Sequence, residues 1–212
     1  MNPVKVIEKL LLRECIESNP PNGYDSCIVC SSSVVWRVSS LFPESFIVSN
    51  AAAQIFSNIA TIYYAVNELN VPLVAILGTT AINLESLLKL PTSSAEVEFK
   101  LLRKTYEENG EILISMFEEP KQLNSALLEL NIDSQIEKLL SIEEFKEKID
   151  RRELAICGFI LDEDKVYGDK LSFYLINFNG IKDPEDIRAE EILQEIPESI
   201  RKQKIKRLLV QF

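Results

Sequence analysis

The sequence predicts a three-layer α/β fold with four main strands in a parallel sheet, an added antiparallel edge strand, and helices on both faces. Three observations predict it. Short apolar runs at 27–30, 46–48, 73–77 and 154–160 read as buried strands. Stretches with helical periodicity separate those runs, which calls for parallel pairing through crossovers. A chain of 212 residues, 46% of them hydrophobic and 26% charged, is long enough for one sizeable core.

Taken in order, the chain opens with an amphipathic helix whose apolar face carries Val4, Ile7, Leu11 and Cys15, followed by a turn-rich break at 18–23. Cys27-Ile28-Val29-Cys30 is the first strand and Phe46-Ile47-Val48 the second. From 51 to 70, Ile55, Ile59, Ile62, Val66 and Leu69 recur at helical spacing, so one apolar stripe packs on the sheet. Pro72 limits that helix, and 73–77 forms a third strand closed by Gly78. Helical patterns at 94–109, 111–118, 122–140 and 142–150 lead to the fourth strand, 154–160. A polar turn at 162–164 then joins an antiparallel strand at 171–177. The last stretch, 183–212, reads as two short helices, the first acidic and the second carrying Arg201, Lys202, Lys204, Lys206 and Arg207 beside Ile205, Leu208, Leu209 and Val210. Such a pattern is either a solvated face docked by its apolar stripe or an assembly element.

Composition narrows function. The formal net charge of −10 repels phosphate backbones and anionic lipid, so neither nucleic acid nor membrane is expected as a partner. The N-terminus lacks the unbroken apolar run of a signal peptide, and no stretch is apolar for the ~20 residues of a membrane span, which places the chain in the cytoplasm. Four cysteines there read as thiols, and the wealth of Ile, Leu, Glu and Lys suits a thermophilic source. Histidine is absent altogether. Any chemistry must therefore proceed without the commonest metal ligand and the usual acid or base near neutral pH.

Several segments in this order carry a resemblance. Cys30-Ser31-Ser32-Ser33-Val34 after strand one, Val48-Ser49-Asn50-Ala51-Ala52 after strand two, Tyr64-Ala65-Val66 late in the long helix, and Ile76-Leu77-Gly78-Thr79-Thr80 after strand three resemble the β-class carbonic anhydrases. Asn131-Ile132 with Gln135, Leu154-Ala155-Ile156-Cys157-Gly158 and 162–168 resemble that family's final helix, strand and turn. The resemblance divides the chain into an N-terminal helical arm (1–23), a β-carbonic-anhydrase-like domain (24–180) and a C-terminal helical extension (181–212). It implies a homodimer or higher homo-oligomer in which the arm embraces the partner.

It also implies a zinc site, and here the sequence departs from the pattern. In the family, a cysteine after strand one and a His-x-x-Cys pair after strand three hold zinc, and an Asp-x-Arg pair beside the first cysteine controls access. Only Cys30 survives: Thr79 takes the histidine position, Ile82 the second cysteine, Ser32 the aspartate and Val34 the arginine. One thiolate beside a hydroxyl and an isoleucine does not make a zinc site, so no cofactor is expected. Without zinc, no water is brought to a pKa of ~7, and carbon dioxide hydration is expected to be lost.

Three uses of the remaining pocket stand side by side. A non-catalytic protein can serve as an oligomeric interaction module. The groups around the old site, Ser31, Ser32, Ser33, Ser49, Asn50, Thr79, Thr80 and Asn83, can hold a small anion through hydroxyl, amide and backbone N–H groups. A zinc-independent enzyme can use Cys30, at the end of a strand, as a nucleophile in a remodelled pocket, although no base stands beside it. Cys27 and Cys30, three apart on a strand, point to opposite faces, and in the sheet order that the resemblance implies Cys157 lies two strands from Cys30, roughly 9 to 10 Å away and beyond disulfide reach. Trp36 reads as a core or interface anchor, and Arg37 as a replacement charge of unknown direction.

Overall fold

A computed structural model describes residues 23–90 and 93–209 and places them around one five-stranded sheet. Strands β1 (Ser26–Ser31), β2 (Ser45–Asn50), β3 (Leu73–Thr79) and β4 (Ala155–Asp162) run parallel, and β5 (Ser172–Phe178) is antiparallel at one edge, in the order β2-β1-β3-β4-β5. All of β1 is buried, as a parallel strand covered on both faces must be. Alternation along the strands splits the apolar residues between two cores. Cys27, Val29, Val74, Ile76, Ile156 and Ile160 face the larger, and Ile28, Cys30, Ala75, Leu77 and Leu161 face the smaller.

The helices are α1 (Val35–Leu41), α2 (Ile59–Asn67), α3 (Leu84–Leu88), α4 (Ser93–Glu98), α5 (Lys100–Met116), α6 (Pro120–Leu140), α7 (Glu143–Asp150), α8 (Pro184–Ala189) and α9 (Glu198–Lys204). Helix α6 begins with Pro120 in its first turn, where the missing N–H costs nothing, and lies directly on β3 and β4. Two glycines allow that approach. A Cβ at Gly78 would stand 2.6 Å from Leu128 Cδ1, and one at Gly158 would stand 2.6 Å from Ile132 Cγ2. The second face is covered by α1 through Val34 and Val38 at one end, and at the other by Ile187 of α8 and Ile205. No helix among the described residues is long and apolar enough to cross a membrane.

Four expectations need correction. The helix expected from 51 begins at Ile59, because Asn50 Oδ1 accepts the N–H groups of Ala52 and Gln54 and Ala53 sits at φ 56°, which no right-handed helix accommodates. The break expected at 109–110 falls instead at buried Phe99, and Gly110 lies inside an unbroken α5. The last basic segment is helical only to Lys204, after which the chain extends along β5. Trp36 is 64% exposed and anchors no core. The N-terminal helix with Val4, Ile7, Leu11 and Cys15 lies outside the described residues.

Candidate functional site

The carboxyl ends of β1 and β3, where chemistry gathers in open α/β sheets, bring the expected residues near one another but use them internally. Cys30 pairs in register with Leu77 of β3, and Thr79, two residues further, faces the same side. Cys30 is 0% exposed and packs among Ile28, Val34, Val38, Ala75, Leu77 and Leu161. Burial pushes its thiol up to about 11, so the neutral form dominates at ordinary pH. Cys27 faces the opposite core, and burial pushes it and Cys157 up to about 12.

The hydroxyl of Thr79 donates to Glu163 Oε2 at 2.7 Å, and Arg37 Nη1 donates to Glu163 Oε1 at 2.9 Å. Arg37 thus points toward the site, but its charge is answered by a carboxylate. The hydroxyl of Thr80 accepts the backbone N–H groups of Glu163 (2.9 Å) and Asp164 (3.0 Å), fastening the turn after β4 to the end of β3. Ile82 packs with the larger core, whereas Cys30 belongs to the smaller, so the two positions do not share a cluster. The gap bounded by Ser31, Ala52, Gly78, Thr79, Ile82, Leu84 and Leu128 leaves ≈ 0 Å³ open to a water-sized molecule.

Ser31, Asn50 and Asn83 are similarly engaged. Ser31 Oγ lies 3.1 Å from Ser33 Oγ and donates to Ala51 O at 3.2 Å. Ser32, Ser33 and Ser49 are exposed, and Val34 is buried against Cys30. Asn50 folds the following loop onto itself, its Nδ2 donating to Gln54 O at 2.6 Å. Asn83 caps α3 by accepting the N–H of Ser86 at 3.0 Å. No local signal singles out Asn124 on α6, which clasps the loop after β3 by donating to Thr80 O and Ile82 O and accepting from Leu84 N–H. Glu163 stands in a turn that reads as merely polar, and only the proximity of Thr79 and Arg37 gives it a role.

Among the described residues, no group of three or more Cys, Asp or Glu side chains is placed to hold a metal ion, and the chain has no histidine. The donor set at the positions that the sequence resemblance assigns to zinc, one thiol sealed in an apolar cluster, one hydroxyl bonded to Glu163 and one isoleucine, does not fit zinc.

A family model described as Carbonic anhydrase matches residues 27–166, more than half of the chain, so the chain belongs to that family. Its fold is that of the β class. The β-carbonic anhydrase CafA of Aspergillus fumigatus superposes with a TM-score of 0.63 at 18% identity, over 88% of this chain and 86% of that one. The Coccomyxa β-carbonic anhydrase, solved with acetazolamide, gives 0.61 at 13% identity over 88% and 85%. The tetrameric β-carbonic anhydrases of Sordaria macrospora give 0.58 at 19% identity over 66% and 76%. No curated protein matches the sequence.

Proposed function

We propose that this chain is a carbonic-anhydrase-fold protein without zinc-hydroxide chemistry, acting as an oligomeric interaction module. The observation that carries the reading is the closure of the old site by the chain itself: Thr79 is bonded to Glu163, Cys30 is sealed among apolar side chains, and the gap beside Ile82 has no room for a water. Such a protein can serve self-association or hold a small anion, and the hydrogen bonding favours the first. The hydroxyls and amides of Ser31, Asn50, Thr79, Thr80 and Asn83 already have partners within the chain, and Glu163 neutralises the one guanidinium nearby.

A surface suited to a second copy lies on the face that carries Cys30. An apolar groove of ≈ 340 Å³ runs between Ile28, Phe42, Ala75, Leu77, Phe159 and Phe173, with exposed Leu41 and Trp36 on the adjoining helix. The Sordaria relatives with this fold are tetrameric, which supports the same expectation here.

The test is metal analysis of protein purified without chelator or a polyhistidine tag, together with carbon dioxide hydration and light scattering. Zinc well below one per chain, hydration at the buffer rate and the mass of a dimer or larger are expected. Stoichiometric zinc or hydration above background would overturn the non-catalytic reading, and a monomer at every concentration would overturn the interaction module.

A further inference from the structure

The C-terminal extension does something that neither its helical pattern nor the family match, which stops at 166, accounts for. After α9 the chain lies parallel beside β5, with Ile205 bridged to Leu175 and the N–H of Lys206 donating to Leu175 O at 3.3 Å. Strand β5 ends the sheet, and its outer edge would otherwise present unpaired N–H and C=O groups.

A buried charge holds this segment in place. The Arg207 guanidinium donates to Asp133 of α6 through both terminal nitrogens (3.0 and 2.7 Å), to Leu209 O, and to Ile176 O at 3.1 Å. Ile176 is the extra residue of a β-bulge, since Asn177 pairs with Gly158 and Leu175 with Phe159. Its carbonyl therefore falls outside the β4–β5 ladder, and the guanidinium supplies the donor. Glu129, one turn before Asp133, accepts the N–H groups of Leu208 (2.8 Å) and Leu209 (3.1 Å) and the hydroxyl of Tyr167 (2.8 Å). The side chain of Arg207 is fully buried, an arrangement far more specific than a helix resting on its apolar stripe.

We propose that the segment Ile205–Leu209 is an edge guard, which covers β5 and prevents that strand from pairing with β5 of a second copy. Two antiparallel β5 strands related by a twofold axis form a self-complementary contact, and the guard occupies the positions this contact needs. Association through the apolar groove is a separate matter, because the groove lies on a face of the sheet and the guard on its edge.

Light scattering on the full chain and on a chain ending at Lys204 tests the proposal, with the full chain's mass as the baseline for any association through the groove. The shortened chain leaves Asp133 and Glu129 buried without Arg207, so the same truncation is also made with Asp133→Asn and Glu129→Gln. The expected result is a folded protein of about twice the full chain's mass at equal concentration, with slow hydrogen exchange across Ser172–Phe178. A folded truncation that keeps the full chain's mass overturns the proposal, as does an aggregate of undefined mass. If neither truncation folds, the segment belongs to the core and guards nothing, which also overturns it.

Discussion

Cys30 offers the sharpest prediction, because the same burial that closes the site sets its reactivity. With the thiol at about 11 rather than the ordinary 9.0, thiolate at pH 7 falls from ~10⁻² to ~10⁻⁴, a loss of about a hundredfold. Access suppresses labelling further, since a side chain with 0% exposure meets iodoacetamide only after the chain opens. Peptide mass spectrometry after timed labelling in native buffer near pH 6 should leave Cys30 unmodified while a free thiol reacts, and urea through the unfolding transition should abolish the protection. The coupling to stability has a definite sign. Folding favours the neutral thiol, so the contribution is fully present below pH 9 and is lost as pH climbs toward about 11, by up to ~3 kcal/mol for this group. Cys27 and Cys157, pushed up to about 12, should steepen the alkaline loss, and Cys30→Ala should flatten it in proportion. Rapid modification of Cys30 near pH 6, faster than that of Cys27 and Cys157, would refute this reasoning and revive thiol catalysis.

Two further substitutions probe the packing around the site. Gly158→Ala should cost ~1–3 kcal/mol in urea unfolding, because the new methyl meets Ile132 Cγ2 at 2.6 Å and Ile136 Cδ1 at 3.0 Å, and Ile136→Val, which removes that Cδ1, should restore part of the loss. Glu163→Ala removes acceptors from both Thr79 and Arg37 and should cost ~1–3 kcal/mol by the same assay without conferring zinc binding, whereas a gain of stoichiometric zinc would show that the glutamate alone had kept the metal out.

The sequence by itself determined the strands, their parallel pairing and the opposite orientation of Cys27 and Cys30. Those features follow from side chains alternating every two residues and from turn residues at fixed places, and both signals are local. Which side chains stand at the positions that the resemblance assigns to zinc was likewise read from spacing within the motifs, which survives without coordinates. Tertiary structure decided what those side chains do. Arg37 meets Glu163 across 126 positions and Arg207 meets Asp133 across 74, and nothing local distinguishes either arginine from one on a solvated face. A basic helix and an arginine fixed inside the fold look alike in one dimension, because the energy of a charge depends on whether a distant carboxylate shares its burial, and only the folded chain brings the two together.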